Sequence, residues 1–269
     1  METLATQAAD SMNTMRNWFQ NLSDIQEVEI ATAPRETVWQ DGKVKLYHFL
    51  RDKKAKAKTP MVISYALVNR WEMMDLQPDR SLIRRLVSEG IDVYVVDWGY
   101  ASIVERYKTM DDYINGNLDD AIDYVRHSHG VDQVNLLGVC QGGTFSLVYT
   151  ALHPEKVKNL VTLVTPVDFS QDDGLLFRWS RHMDVDAVVD GFNGVIPGDF
   201  LNMAFDLLKP MGKVKKYAGL PKLAQDKARL ENFLRMEKWV ADGPSQAGET
   251  FRQFIKEMYQ ENRLFAGTL

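Results

Sequence analysis

The sequence predicts an α/β protein with a mostly parallel sheet that is covered by helices on both faces. Two observations predict it. Between residues 61 and 167, short apolar runs alternate with amphipathic helical stretches, and each apolar run is continuous instead of alternating with polar residues. A strand that packs helices on both faces needs apolar side chains on both, so continuous runs favour a parallel sheet. A chain of 269 residues is long enough to bury a large core in one or two domains.

The elements follow in a regular order. An amphipathic helix is predicted over residues 4–22 and docks on the core or, alternatively, binds a partner. A hairpin is predicted at Asp41-Gly42, a dipeptide that favours a tight turn. The core is then predicted to contain the strands MVISYAL from Met61, DVYVVDW from Asp92, QVNLLGV from Gln133 and VKNLVTLVTPV from Val157, and the helices SLIRRLVSEG from Ser81, DDYINGNLDDAIDYVRHSHG from Asp111 and GTFSLVYTALH from Gly143.

The alternation ends at Asp168. The region 168–269 shows helical patterns broken by glycines and prolines, with one helix from Leu230 to Val240 and another after Ser245, a candidate N-cap. A helical insertion after a strand is typical of a cap over the carboxyl edge of a sheet. We therefore divide the chain into residues 1–167, an N-terminal helix, hairpin and α/β core, and residues 168–269, a helical cap or lid region.

Composition limits the classes of function. The 32 Lys+Arg and 37 Asp+Glu residues give a formal charge of -5, so nucleic acid is not the expected partner. The single cysteine, Cys140, excludes an intramolecular disulfide and suits a reducing compartment. No apolar run is long enough for a transmembrane segment, and no His, Asp and Glu cluster has metal-ligand spacing. We expect a cytoplasmic protein without a metal or a cofactor.

The strongest functional signal is GVCQGG, from Gly138 to Gly143, between a predicted strand and a predicted helix. This G-x-C-x-G-G pattern is the cysteine form of a nucleophile elbow, in which small residues permit a sharp strand-to-helix turn. The helix N-terminus beside Cys140 favours a thiolate. The alternative is a structural cysteine, since free cysteine is often buried as a small hydrophobe. The strand, turn and helix context favours the nucleophile.

Two backbone N–H groups are candidates for an oxyanion hole. Gln141 follows the nucleophile, so its N–H is the first candidate. The second donor is expected in the loop LVNR from Leu67, where Val68 is our choice and Asn69 is close behind; an ordinary loop without a role is the alternative. Asp97 ends a strand at the same edge, where a carboxylate more often caps a turn than takes part in catalysis.

Seven long runs, spread over most of the chain, resemble a single family: YALVNR from Tyr65, DLQPDRSLI from Asp75, DVYVVDWGY from Asp92, DDYINGNLDDAIDYVR from Asp111, HGVDQVNLLGVCQGG from His129, HPEKVKNLVTLVTPVDF from His153 and FLRMEKWVADGPSQAGETFRQFIK from Phe233. They resemble the polyhydroxyalkanoate synthases, and within them the catalytic subunit of the class III, two-subunit type. The resemblance implies an α/β-hydrolase fold and an enzyme that polymerises (R)-3-hydroxyacyl groups, typically 3-hydroxybutyryl, from coenzyme A thioesters.

The same resemblance implies the partners and the place of action. These are a growing polyester chain, a second synthase subunit and the surface of polyester granules in the cytoplasm. The cysteine chemistry agrees with it. When a thiolate attacks a thioester the product is another thioester, so the acyl group keeps its activation for transfer to a hydroxyl at the chain end.

One departure from the family concerns the base. The resemblance implies a histidine and an aspartate on loops after two later strands, and no residue here matches either motif, so we assign neither role. We therefore expect this chain to be an incomplete form that lacks the last strands of the sheet and has little synthase turnover on its own. His182 is the one histidine placed to approach the sheet edge, and base geometry argues against it. Five methionines in loop and cap segments either line an acyl channel or fill gaps: Met73, Met74, Met183, Met203 and Met211.

Two other functions remain open. A different thiol-dependent acyltransferase or thioesterase of the same fold would also carry G-x-C-x-G-G, and its product would be a free hydroxy acid and not a polymer. A non-catalytic protein could bind granules or the partner subunit through the N-terminal helix and the cap. Replacing Cys140 with alanine separates this binding role from an enzyme.

Overall fold

The computed structural model describes residues 27–51, 54–171, 174–208 and 210–269. The helix predicted over residues 4–22 lies outside these ranges and stays a prediction. Of the described helices, none combines the length and the apolar character needed to cross a membrane.

A six-stranded sheet forms the centre of the fold. Its first two strands pair antiparallel and the other four run parallel to one another, which confirms the predicted fold class. In spatial order the strands are β1 (Arg35–Asp41), β2 (Val44–Phe49), β6 (Val93–Asp97), β3 (Met61–Ser64), β7 (Val134–Val139) and β8 (Val157–Leu163). A short antiparallel ribbon of β4 (Asp75–Gln77) and β5 (Arg80–Ser81) follows β3 in the chain.

The central strands are apolar on both sides because both sides are buried. All residues of β3 and β6 are buried. The side chains of Val62 and Ile63, neighbours on β3, belong to two different hydrophobic clusters, one on each face of the sheet. Alternate residues of a strand point to opposite faces, so the continuous apolar runs supply two cores at once.

The predicted hairpin and helices are present, with small shifts at their ends. The hairpin closes at Gly42-Lys43, one residue later than predicted, with Asp41 paired to Val44 and Gly42 at φ 53°. The Ser81 hydroxyl accepts a 2.9 Å hydrogen bond from the Arg84 N–H and so caps the first helix. The core helices are α1 (Leu82–Ser88), α2 (Asp119–His129), which continues a π-helical turn at Asp112–Leu118, and α3 (Gln141–Leu152).

The region after Asp168 is helical, as predicted, with one small exception. Ser245 is not an N-cap, because Gln246–Ala247 form a strand, β10, that pairs with β9 (Val195–Ile196), and the following helix begins at Gly248. The helices are α4 (Leu175–His182), α5 (Val185–Gly191), α6 (Gly198–Leu207), α7 (Pro210–Ala218), α8 (Leu220–Leu223), α9 (Lys227–Ala241), α10 (Gly248–Gln253), which continues as a π-helix at Phe254–Gln260, and α11 (Arg263–Ala266).

The two predicted regions share one hydrophobic core. Phe254, from the second region, packs edge-on against Phe145 of α3, with ring centroids 6.1 Å apart. Phe169 packs against both Phe254 and Tyr259. The division at residue 168 thus marks a change in the kind of element, while the core is continuous across it; the division into domains stays a prediction.

A buried ion pair ties the loop after β3 to the end of β6. The Arg70 guanidinium donates to both carboxylate oxygens of Asp97, at 2.6 and 3.1 Å, and Asp97 also accepts the N–H of Gly99. The carbonyl of Arg70 accepts a 2.7 Å hydrogen bond from the indole N–H of Trp239 on α9. These bonds fix the position of the loop that follows β3, and they give Asp97 the structural role that the sequence favours.

Replacing Arg70 with methionine is expected to lower the free energy of unfolding by about 3 to 5 kcal/mol, because it leaves the buried carboxylate of Asp97 without its cation. Urea unfolding of the purified variant measures the change. Arg252→Met, which breaks ion pairs to the exposed carboxylates of Asp186 and Asp190, is the matched control and should change stability far less. Equal effects of the two substitutions would contradict the structural importance of the buried pair.

Candidate active site

Cys140 lies at the turn between β7 and α3. Its backbone has φ 55° and ψ -125°, a conformation that residues with side chains rarely adopt. The strain is held by hydrogen bonds on both sides: the Cys140 N–H donates to the Leu163 carbonyl of β8, and its carbonyl accepts from the N–H groups of Gly143 and Thr144. A strand thus turns into a helix at this residue, and the thiol is placed at the carboxyl edge of the sheet.

The glycines of the motif are required by close approach. A Cβ at Gly142 would lie within 3.0 Å of the carbonyl oxygens of Ser64 and Tyr65, and a Cβ at Gly143 would lie within 3.0 Å of the side chain of Thr165. The first turn of α3 therefore packs directly against the end of β3. The contact with β3 requires the first glycine of the pair, and the contact with Thr165, which follows β8, requires the second.

The surroundings of the thiol keep it protonated at neutral pH. Burial raises the pKa of Cys140, and a hydrogen bond from the Gln141 N–H offsets only part of this rise. Two phenols, Tyr65 and Tyr259, lie near the thiol. Burial raises the pKa of each, and the charge of a Cys140 thiolate raises it further. Both phenols are therefore neutral hydroxyl groups at the site.

The residues of the two predicted N–H donors line the same cavity as the thiol. The Gln141 N–H lowers the pKa of the thiol, and the Gln141 side chain accepts a 3.1 Å hydrogen bond from the Leu67 N–H, which draws the loop after β3 against the elbow. Val68, the next residue, lines the same cavity as Cys140, and its N–H has no acceptor in the described part of the chain. Asn69 lies outside this lining and borders a smaller pocket with Arg70.

A largely apolar cavity of about 160 Å³ lies over Cys140. The helices after Asp168 supply most of its wall, as expected for a cap over the carboxyl edge. Polar side chains are few and include Ser180, Gln246 and Tyr259. The apolar part of the wall consists of Val68, Pro166, Leu176, Trp179, Met183, Phe200, Leu201, Ala204, Phe205, Phe251, Phe254 and Ile255. A larger cavity, of about 510 Å³ between Phe49 and α1, lies at the opposite edge of the sheet.

The methionines contribute less to this wall than the sequence suggested. Met183 alone of the five candidates lines the cavity. Met203 and Met211 are exposed, and Met73 and Met74 belong to the core on the other face of the sheet. Aromatic residues of α4 and α6, namely Trp179, Phe200 and Phe205, line the cavity instead. These residues could not be predicted from the sequence, because their helices are short and their pattern is broken by glycine and proline.

No histidine of the described residues lines the cavity. His182 is exposed at the end of α4, so the weak expectation that it approaches the sheet edge is not met. His48 and His129 lie beside Asp92 at the opposite end of the strands, and His153 hydrogen-bonds to Asn115. The described residues thus hold a candidate nucleophile and two candidate oxyanion donors but no imidazole base beside them.

Comparison with known proteins identifies the family. The family model described as "alpha/beta hydrolase fold" matches residues 60–267. The poly(3-hydroxyalkanoate) polymerase subunit PhaC of Allochromatium vinosum is 47% identical over 99% of this chain and 76% of its own length. That of Thiocystis violacea is 46% identical over 99% and 75%, and that of Synechocystis sp. is 46% identical over 92% and 68%. The predicted resemblance is confirmed: the chain has the α/β hydrolase fold and belongs to the PhaC family of poly(3-hydroxyalkanoate) polymerase subunits.

Proposed function

We propose that this protein is a polyester synthase subunit that polymerises (R)-3-hydroxyacyl groups, typically 3-hydroxybutyryl, from coenzyme A thioesters with Cys140 as the nucleophile. One observation carries the proposal: the thiol on the strained elbow opens into an apolar cavity that Gln141 and Val68 also line. An acyl group fits such a cavity, and the N–H groups fit the oxyanion that forms when a thioester is attacked.

The proposed reaction has two transfers. The Cys140 thiolate attacks the thioester carbonyl, and the tetrahedral oxyanion is held by the N–H groups of Gln141 and Val68. The bond to the sulfur of coenzyme A then breaks, coenzyme A leaves as a thiolate that takes up a proton, and the acyl group stays on Cys140. In the second transfer the hydroxyl of a growing chain attacks this thioester and gives up its proton, the chain grows by one ester, and Cys140 is released.

The protonation of the thiol limits the first transfer. With its pKa raised by burial, Cys140 is mostly a thiol at neutral pH, and no described histidine lies close enough to take its proton. General base catalysis contributes about 10²- to 10⁴-fold where a base is present. We therefore expect acylation to be slow at neutral pH and faster at alkaline pH.

The proposal extends to the surroundings of the enzyme. The relatives are named as subunits, which supports a second synthase subunit as partner, and a polyester product supports a place at the granule surface in the cytoplasm. A cytoplasmic site also suits a catalytic thiol, because reducing conditions keep it from oxidation.

Incubation with (R)-3-hydroxybutyryl-coenzyme A is expected to add one or more 3-hydroxybutyryl units to the protein. Intact mass spectrometry measures the adduct, and Cys140→Ala, which leaves the chain without a cysteine, is the control that should show none. Polymer among the products supports a synthase, while free 3-hydroxybutyrate alone supports a thioesterase. An equal adduct on the alanine variant would contradict the role of Cys140.

Alkylation of Cys140 by iodoacetamide is expected to reach its half-maximal rate at a higher pH than alkylation of a cysteine in a short peptide. The reason is that burial raises the pKa of the thiol, so the reactive thiolate forms later as pH rises. Because Cys140 is the only cysteine, total alkylation reports this residue alone. A midpoint at or below that of the peptide would show that the thiol is activated and not suppressed.

A further inference from the structure

The side chain of Gln246 stands out among the described residues. It is 3% exposed, and neither the nitrogen nor the oxygen of its carboxamide has a hydrogen-bond partner. A buried amide without partners loses its hydrogen bonds to water and gains nothing in return. Such groups are rare in folded proteins, and each requires a reason.

The backbone around Gln246 does not supply that reason. The residue lies on β10, where its main chain pairs with Ile196 of β9, and the N–H of Gly248 donates to the Gly194 carbonyl at 2.8 Å. The segment is thus fixed by main-chain bonds. An apolar side chain of similar length would satisfy the packing equally well and would leave no unpaired polar atoms.

The position of Gln246 suggests a ligand instead. Gln246 borders the cavity that also contains Cys140 and Met183, and its carboxamide is covered in this structure. The last torsion of a glutamine side chain is soft, so the carboxamide can turn toward a group that enters the cavity. Gln141, the other amide in the lining, already accepts the N–H of Leu67, which leaves Gln246 as the amide available to a ligand.

We propose that Gln246 forms a polar subsite in the cavity over Cys140 and receives the 3-hydroxyl group of the acyl substrate. The inference rests on the proposed function. A hydroxyl is both a donor and an acceptor, so it pairs with the oxygen and the nitrogen of one carboxamide together. An ester carbonyl of the polymer only accepts and would leave the amide oxygen unpaired. The phosphates of coenzyme A need cations, and no described lysine or arginine lines the cavity.

The subsite gives the enzyme a means to select 3-hydroxyacyl groups. An acyl group without the hydroxyl fills the cavity but leaves both atoms of the carboxamide unpaired, so it binds less well. A site that hydrogen-bonds a substrate hydroxyl strongly rejects an analogue that lacks this hydroxyl. An apolar pocket rejects an analogue of a different size far less strongly. Gln246 is thus a specificity residue, while the chemistry stays with Cys140.

The test compares acylation of Cys140 by (R)-3-hydroxybutyryl-coenzyme A and by butyryl-coenzyme A, at alkaline pH where the thiolate forms. The rates are followed by intact mass. The wild-type protein is expected to prefer the hydroxylated thioester, and Gln246→Met, which keeps the length of the side chain, is expected to reduce this preference at least about tenfold. An unchanged ratio of the two rates would overturn the inference.

Thermal melting supplies a second readout that does not depend on activity. Gln246→Met should raise the melting temperature, because it removes an unpaired buried amide. The matched control is Gln260→Met: the Gln260 amide donates to the carbonyls of Ser180 and Met183, at 3.1 and 2.9 Å, so its loss should lower the melting temperature. A fall for Gln246→Met as large as that of the control would show a structural role and overturn the subsite.

The failure of this inference can be told apart from the failure of the proposed function. If neither thioester acylates the wild-type protein, the acyltransferase proposal fails and the subsite falls with it. If the wild type is acylated and the methionine variant keeps the full preference, only the subsite is wrong.

Discussion

The close approach of α3 to β3 is the constraint on which the site depends. Because Gly142 lies against the carbonyls of Ser64 and Tyr65, the chain has no room for a gradual turn between β7 and α3, and Cys140 takes up a strained conformation. The same approach brings the amide of Gln141 to the Leu67 N–H and so places Val68 beside the thiol. One packing contact thus positions Cys140, the proposed nucleophile, and the residues of both candidate oxyanion donors.

The local part of this site can be predicted from the sequence, whereas the part that is built by tertiary packing cannot. The elbow is predictable because its signals are adjacent in the chain: an apolar strand, a cysteine flanked by glycines, and a helix. Val68 could be proposed because a second loop must reach the same edge of a parallel sheet, and it lines the cavity with Cys140. The cavity wall was not found, since Trp179, Phe200 and Phe205 meet only when helices of irregular sequence pack over the sheet.

Burial of the thiol has two opposing effects on its proposed chemistry. The apolar surroundings that suit an acyl chain and exclude water also raise the pKa of Cys140, which lowers the fraction of thiolate. Desolvation strengthens the hydrogen bonds that the N–H groups of Gln141 and Val68 can make to a developing negative charge. The site is therefore better arranged to stabilise an oxyanion than to generate the thiolate. No described histidine lines the cavity to remove the proton of the thiol.

The residues of the cavity wall differ in how closely they are packed into the core. Phe254 serves both the cavity and the core, where it packs against Phe145 and Phe169, so it cannot move without opening the centre of the protein. Trp179 and Phe205, each 39% exposed and outside that core cluster, have no such restraint. A rotation of either side chain would leave that core cluster intact. A chain that outgrows 160 Å³ therefore meets, at these two rings, a part of the wall that can be displaced without disrupting the core cluster.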